Sequence, residues 1–155
     1  MSSDTTFISF EQGGSVIATI EGNDSGGVRY KTYSADYAEF LPKKDVNEVF
    51  EKGDIVAVVN GEITKDTRFA QQLMVISTAP AVAGNWPGAG EEENFELVAF
   101  FGQVNTRVIG KVSKGDYIIA SGNNDGLGRA IHPKDLTPEM RVSVVGRAWD
   151  DSSKR

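Results

Sequence analysis

The sequence predicts an all-β protein: a compact β-sandwich or small barrel with short helical turns, preceded by an N-terminal β-hairpin arm. Its apolar runs are short, about five residues each, which is the usual length of a strand. Several runs alternate with polar residues in the period of two that is typical of strands, and turn signals containing Gly or Asn separate them. No segment carries apolar residues at helical spacing over three turns, which excludes a helical bundle.

Residues 1–32 are predicted to form the arm. Two β-type runs, FISF and VIATI, flank the turn sequence QGGS, and a third run, VRYKTY, follows the Gly-rich stretch GNDSGG. This arrangement predicts a hairpin followed by a third strand. Three such strands contain little core of their own, so we expect the arm to lean on the rest of the chain or on a neighbouring copy.

Residues 33–149 are predicted to form the main β domain. Short helical turns are expected at residues 45–50 and from Thr137, where the following Pro suits the first position of a helix. The sequence GNWPGAGEEE predicts a surface loop at residues 84–93, and the polar tail, residues 150–155, is expected to be flexible. The predicted strands are residues 55–59, 62–64, 73–77, 97–101, 104–109, 117–120 and 142–148.

One sequence pattern occurs twice. The segment EKGDIVA begins at residue 51, and the similar segment SKGDYII begins at residue 113. A Lys-Gly-Asp recognition tripeptide is one interpretation. The favoured interpretation is a turn in which Gly takes a positive φ and Asp bonds the local backbone, because both copies precede a buried-type strand. The repetition therefore predicts two similar β units that share one core.

The composition excludes several classes of protein. Asp and Glu (22) outnumber Lys and Arg (16) among 155 residues, which gives a net charge of −6; no basic cluster offsets it, so nucleic acid is not an expected partner. The absence of Cys excludes disulfides, thiolate nucleophiles and zinc–thiolate sites. The N-terminus lacks the pattern of a signal peptide, and the apolar runs are far shorter than the ~20 residues of a membrane helix. We expect a soluble protein without a membrane partner.

No metal or cofactor is expected. His132 is the only histidine, which excludes a histidine-rich metal site. Asn123, Asn124 and Asp125 lack the ligand spacing of a calcium loop, and the three consecutive Glu residues from Glu91 predict a solvated loop tip. The sequence also lacks the Gly-x-Ser-x-Gly elbow of many serine hydrolases and the phosphate-binding P-loop.

The stretch TYSADYAEFLP contains the strongest candidates for chemistry, Ser34, Asp36 and Glu39. A carboxylate can activate a nearby serine when a turn brings the two together. In a regular strand, however, Ser34 and Asp36 would share one polar face. Composition leaves both interpretations open, with the amphipathic strand favoured.

Several segments resemble one family in the same order along the chain. The stretch DYAEF at residue 36 resembles the family's Asp-Tyr-Ala-Glu-aromatic signature. The family is the C-terminal domain of phage tailspikes, neck appendages and tail fibres, an intramolecular chaperone that in some members cleaves itself off. The other similar segments are GDIV, VISTAPAVAGN, FGQV, KGDYIIASG and VGRA, which lie between residues 53 and 148.

The resemblance implies a mostly-β domain that assembles as a homotrimer and brings upstream fibre or spike segments into register. It also implies a chain that folds in the host cytoplasm and functions in the virion. In self-cleaving members the serine before the motif is the nucleophile, which makes Ser34 and Asp36 the catalytic candidates, with Glu39 in support. Tyr33 stands where the resemblance implies Asn, and only Ala35 separates the serine from the aspartate.

The leading hypothesis is therefore a structural assembly domain that does not cleave itself. The first alternative is a serine autoprotease that cuts between Tyr33 and Ser34. The second is a small ligand-binding β module, whose binding edges would be the loops at residues 84–93 and 122–126.

Overall fold

The computed structural model describes residues 5–23, 25–32 and 36–152, and it confirms the all-β prediction. Thirteen strands and four short 3₁₀ helices make up the regular structure of these residues. The strands are β1 (Thr6–Gln12), β2 (Ser15–Gly22), β3 (Val28–Thr32), β4 (Asp36–Pro42), β5 (Ile55–Val59), β6 (Glu62–Thr64), β7 (Gln72–Ile76), β8 (Pro80–Gly84), β9 (Phe95–Gly102), β10 (Val108–Ile109), β11 (Tyr117–Ala120), β12 (Gly128–Ile131) and β13 (Val144–Arg147).

The chain divides into two compact units, Met1–Ala35 and Asp36–Arg155. The first unit is an antiparallel sheet in the order β1-β2-β3. Gly13 and Gly14 take positive φ values of 57° and 79° in the turn between β1 and β2, a conformation that glycine adopts without a steric penalty. The predicted hairpin with its third strand is thus present.

The second unit contains two sheets, one with the strand order β6-β5-β7-β9-β4-β8 and one with the order β10-β12-β11-β13. Strand alternation gives the six-stranded sheet two buried faces. One face packs Ile55 and Val75 against Ile118 and Val112 from the other half of the unit. The opposite face carries a second cluster. Its buried members are Val56, Ile63, Met74, Ile76 and Val98.

The repeated pattern forms the same turn twice, at residues 51–54 (the first turn) and 113–116 (the second turn). In each turn the Asp carboxylate accepts the N–H of the residue three positions earlier at 2.9 Å. Gly53 and Gly115 take φ values of 88° and 91°. A central strand follows each turn, and Ile55 and Ile118 from these strands belong to the same core cluster. The prediction of two similar β units sharing one core is confirmed.

Two predicted strands are shorter than expected. Of residues 104–109, only Val108–Ile109 are in a strand, because the preceding Arg107 N–H is bonded to the carbonyl of Gly53 in the first turn. Of residues 142–148, only Val144–Arg147 are in a strand, because a 3₁₀ helix extends through Ser143.

Two strands were missed by the sequence prediction. Strand β8 consists of the small and apolar residues PAVAG, and β12 has the short sequence GRAI. Both contain Gly and Ala and few β-branched residues, so their strand propensity is weak. Pairing with β4 and with β11 stabilises them instead, which is a tertiary effect.

Two further expectations need correction. Residues 45–50 form no helix; the Glu48 N–H donates to the Asp45 carbonyl in a simple turn. The tail predicted to be flexible is anchored at Ser152, which exchanges two backbone hydrogen bonds of 2.9 Å with Val112. Residues 153–155 lie outside the described residues.

Candidate functional site

Strand β4 contains two of the three predicted site residues, Asp36 and Glu39. The third, Ser34, lies outside the described residues together with its neighbours Tyr33 and Ala35. The structure therefore gives the surroundings of the two acids only.

Asp36 is a buried acid without a visible partner. Its side chain is only 2% exposed, and neither carboxylate oxygen has a hydrogen-bond partner among the described residues. A buried charge without a partner is costly, so proteins pair nearly all such groups. An exception of this kind calls for an explanation.

The backbone around Asp36 is irregular. Strand β4 lies between β8 and β9, and its register shifts on both sides of Tyr37, between Asp36 and Tyr37 toward β8 and between Tyr37 and Ala38 toward β9. Opposite Asp36, Gly102 takes a positive φ of 122°. Such bulges redirect side chains and are frequent beside functional sites.

Glu39 belongs to a different surface from Asp36. Asp36 and Ala38 are buried, whereas Tyr37 and Glu39 are half-buried, as expected for residues that alternate along a strand. The Tyr37 hydroxyl donates to Glu39 Oε1 at 3.1 Å, and this hydrogen bond, together with the negative charge of the carboxylate, raises the pKa of the phenol. The structure therefore does not bring Glu39 to Asp36.

An exposed aromatic surface adjoins this pair. The ring of Phe101 stacks on Tyr37 with a centroid distance of 5.4 Å and an interplanar angle of 9°, and 71% of Phe101 remains exposed. On strand β8, which flanks the other edge of β4, Val82 pairs with Tyr37 and is also exposed. Gly84 completes the surface, since a Cβ there would contact Glu39 and the Tyr37 hydroxyl.

A second buried polar atom without a partner was not predicted. Ser77 follows β7 and is 4% exposed, and its Oγ has no hydrogen-bond partner among the described residues. Its N–H donates to the Leu97 carbonyl, so the backbone at this position is satisfied. No local sequence pattern distinguishes Ser77, because a serine at the end of an apolar strand is common.

The two loops considered as binding edges bond mainly to their own units. In the loop at residues 84–93, the Asn85 amide donates to the Phe40 carbonyl, and Trp86 packs on the Phe40 ring at 4.7 Å. In the loop at residues 122–126, Asp125 accepts hydrogen bonds from the Ser121 hydroxyl and the Leu127 N–H. These contacts account for the conformation of both loops.

Asp54 of the first turn is a buried acid with two cationic partners. It is fully buried, and it binds Arg107 at 2.6 Å and Lys65 at 2.9 Å. Burial opposes ionisation of this carboxyl, but the hydrogen bonds from Lys65, from the Glu51 N–H and from Arg107 outweigh it and lower its pKa. A Cβ on Gly126 would lie 2.6 Å from the Asp54 carboxylate carbon, so this cluster is closely packed and structural.

The first unit presents an apolar face to solvent. Strand pairing places Ile8, Ile20 and Tyr30 in one row, and alternation adds further apolar residues to the same side. This apolar face consists of Ile8, Phe10, Val16, Ala18, Ile20, Val28 and Tyr30. Five of these residues are between 41% and 65% exposed.

The opposite face of the first unit is mainly polar. Glu21 is almost fully buried there and accepts hydrogen bonds from Thr19 and Arg29, which lower its pKa. Lys31 lies 3.5 Å from the same carboxylate, and Ile17 at the turn end is an exposed apolar residue on this face. Phe7 lies at the register shift near the start of β1 and is also exposed. The ion pairs stabilise the sheet from one side only.

The described residues contain no group of three or more potential metal ligands. Among the same residues, no helix is long and apolar enough to cross a membrane.

Comparisons of the chain with protein-family models, with curated proteins and with solved structures found no match. The function is therefore inferred from the sequence motifs and from the geometry described above.

Proposed function

We propose that this chain is an assembly domain of a phage-type tail fibre or tailspike, which associates as a homotrimer and brings the attached fibre segments into register. The observation that carries the proposal is the exposed apolar face of the first unit. The ordered motifs, beginning with DYAEF at residue 36, support the assignment to fibres. The resulting particle component would fold in the host cytoplasm and function in the virion.

The apolar face fits a surface that is covered on assembly. Soluble monomers rarely expose large contiguous apolar patches, and a three-stranded sheet needs a partner on its apolar side for stability. Ile8 and Phe10 on β1 and Tyr30 on β3 are each more than 40% exposed. Association of identical faces would bury these side chains without any further protein.

Trimerisation also has a physical purpose in a fibre. Fibre strands pair between chains, and such non-local contacts form slowly while sheet edges remain exposed. A globular domain that associates first raises the effective concentration of the attached segments for one another. Folding of the globular domain would therefore accelerate the assembly of the attached fibre segments.

A matched pair of substitutions in β1 tests the proposal. Ile8→Lys places a charge on the apolar face, whereas Ser9→Lys places the same charge on the opposite face one residue later. We expect Ile8→Lys to weaken self-association at least about tenfold in sedimentation experiments, because the buried charge would be unpaired, and Ser9→Lys to have little effect. If both variants associate as strongly as the unmodified chain does, the role of this face is contradicted.

Self-cleavage between Tyr33 and Ser34 is the second candidate, and the buried Asp36 carboxylate, which has no hydrogen-bond partner among the described residues, favours it. The Ser34 hydroxyl would add to the Tyr33 carbonyl carbon and release its proton toward Asp36. Asp36 would pass that proton to the Ser34 nitrogen as the C–N bond between the two residues breaks, and water would then hydrolyse the resulting ester to regenerate the Ser34 hydroxyl. The products would be a carboxylate at Tyr33 and a new amino terminus at Ser34.

Intact-mass measurement during prolonged incubation tests this candidate. Under self-cleavage, the chain splits at Tyr33–Ser34, Ser34→Ala abolishes the split, and Asp36→Asn slows it by about 10²-fold or more, the size of a typical acid–base contribution. Glu39→Gln is the control, because Glu39 bonds Tyr37 on the other side of β4. A chain of unchanged mass would exclude the autoprotease and leave the assembly role intact.

A further inference from the structure

Strands β1 and β3 are the edges of the sheet in the first unit. They flank β2, and neither pairs with a further strand among the described residues. Every residue of β1 is exposed, and its sequence TFISFEQ contains neither the Lys nor the Pro that protects many edge strands from pairing. Between its two register shifts, Ile8, Ser9 and Phe10 pair regularly with β2. This part of β1 is therefore a regular template for another strand.

The two edges carry opposite charges on the polar face of the sheet. On β3, Arg29 and Lys31 both contact Glu21, and their side chains remain 43% and 45% exposed. On β1, Glu11 accepts a hydrogen bond from the Ser9 hydroxyl at 3.2 Å and forms no ion pair among the described residues. Strand pairing places Ser9 and Lys31 in the same row across the sheet. The acidic β1 edge is thus complementary to the basic β3 edge.

The width of this sheet fits an assembly of three copies. Three strands at a spacing of about 4.8 Å form a side of about 14 Å when strands also pair across the corners. Three such sides around a common axis lie about 4 Å from it, close to half of the ~10 Å that separates packed sheets. With the apolar faces turned inward, the β3 edge of each copy therefore meets the β1 edge of the next.

We propose that β3 of one copy pairs with β1 of the next, so that three copies close one continuous sheet around their apolar faces. The inference rests on the proposed self-association and names the backbone contact that completes it. Strands β1 and β3 both run antiparallel to β2, so rotation about an axis along the strands pairs them in parallel. The apolar side chains of both strands then stay on the inner side. Lys31 lies beside Ser9 of the next copy and within reach of its Glu11.

Pairing of like edges is disfavoured by the same charges. Two β1 edges would bring the Glu11 side chains of both copies onto one face, and two β3 edges would do the same with Arg29 and Lys31. Either pairing would only widen the sheet and leave its apolar face uncovered. Exposed charges contribute little to affinity, but they select which edges meet. Contact between unlike edges is also the heterologous contact that a cyclic trimer requires.

Disulfide formation between copies tests this pairing, since the chain contains no Cys of its own. Chains with Lys31→Cys are unfolded and reassembled with chains that carry Ser9→Cys or, for a register displaced by two residues, Glu11→Cys. Neighbouring strands bring Cα atoms within the range that a disulfide needs, whereas strands two apart do not. The control partner is Ile17→Cys, which is exposed on the central strand β2. We expect disulfides from Lys31→Cys to a β1 position to be at least about tenfold more abundant than to position 17.

The outcomes separate the pairing from the assembly role. Disulfides that form between two Ser9→Cys chains, in place of those with Lys31→Cys, would show that like edges meet and would overturn the pairing. Sedimentation of the same mixtures under reducing conditions reports whether the chains associate. If they form oligomers while Lys31→Cys joins neither β1 position, the pairing is wrong although the assembly role stands. If the unmodified chain is monomeric, both proposals fail.

Discussion

At the scale of residues, two buried aspartates differ in whether other side chains pair with them. Asp54 has Arg107 and Lys65 within ion-pair distance and is explained by packing alone. Asp36 is equally inaccessible and has no hydrogen-bond partner among the described residues. Buried polar groups are normally hydrogen-bonded, so packing among the described residues accounts for Asp54 and does not account for Asp36.

Replacing the paired aspartate is expected to destabilise the protein strongly. Asp54→Asn leaves Arg107 and Lys65 without their shared carboxylate, which should lower the free energy of unfolding by about 3 kcal/mol. Urea unfolding followed by tryptophan fluorescence measures the change. Asp66→Asn is the control: Asp66 pairs with Arg68 at 2.6 Å at the surface, and such exposed pairs contribute little. Equal losses in the two variants would contradict the special role of burial at Asp54.

The same carboxylate predicts a pH dependence with a defined sign. The pKa of Asp54 in the folded chain is lowered from its ordinary value of 3.8, so folding favours the ionised form. Its contribution to stability is complete above that value and is lost as the pH falls through the folded pKa. Unfolding experiments below pH 4 should therefore show a shallower acid-induced loss in Asp54→Asn than in the unmodified chain. Parallel pH profiles would contradict this assignment.

At the scale of elements, the repeated turn was predictable from sequence and its surroundings were not. Lys-Gly-Asp before a buried strand encodes the backbone of both copies, because Gly and Asp act locally. Residues 104–107, whose Arg107 N–H bonds the Gly53 carbonyl, lie against the first turn from more than fifty positions away in the sequence. They form an extended loop where a strand was predicted. Strands β8 and β12 were missed for the same reason, since their partners stabilise them more than their own residues do.

The two turn glycines form a matched test of this difference. Both have positive φ, so replacement by Ala costs about 1–2 kcal/mol at either position. Gly53→Ala would also press against the Asn105 carbonyl, for a total of about 3 kcal/mol or more, whereas Gly115→Ala meets open space. Thermal or urea unfolding should rank the two variants in this order. Equal losses of stability in the two variants would contradict the close contact between Asn105 and the first turn.

At the scale of the whole molecule, the sequence predicted the fold class and the hairpin arm, because short alternating runs and Gly turns are local signals. The candidate site was only partly predictable. The sequence placed Asp36 and Glu39 in one candidate site, whereas in the structure Glu39 bonds Tyr37 and lies away from Asp36. The burial of Asp36 depends on β8 and β9, which flank it from distant parts of the sequence. The exposed apolar face of the arm likewise becomes visible only once its three strands are in register.

The central claim is that this chain assembles with copies of itself, and its mass in solution is the most direct test. Sedimentation equilibrium of the full chain from low micromolar concentrations upward should give a mass three times that of one 16.7 kDa chain. Association should persist at high salt, because the apolar face and not ion pairing is expected to drive it. A stable monomer of 16.7 kDa throughout this range would contradict the account.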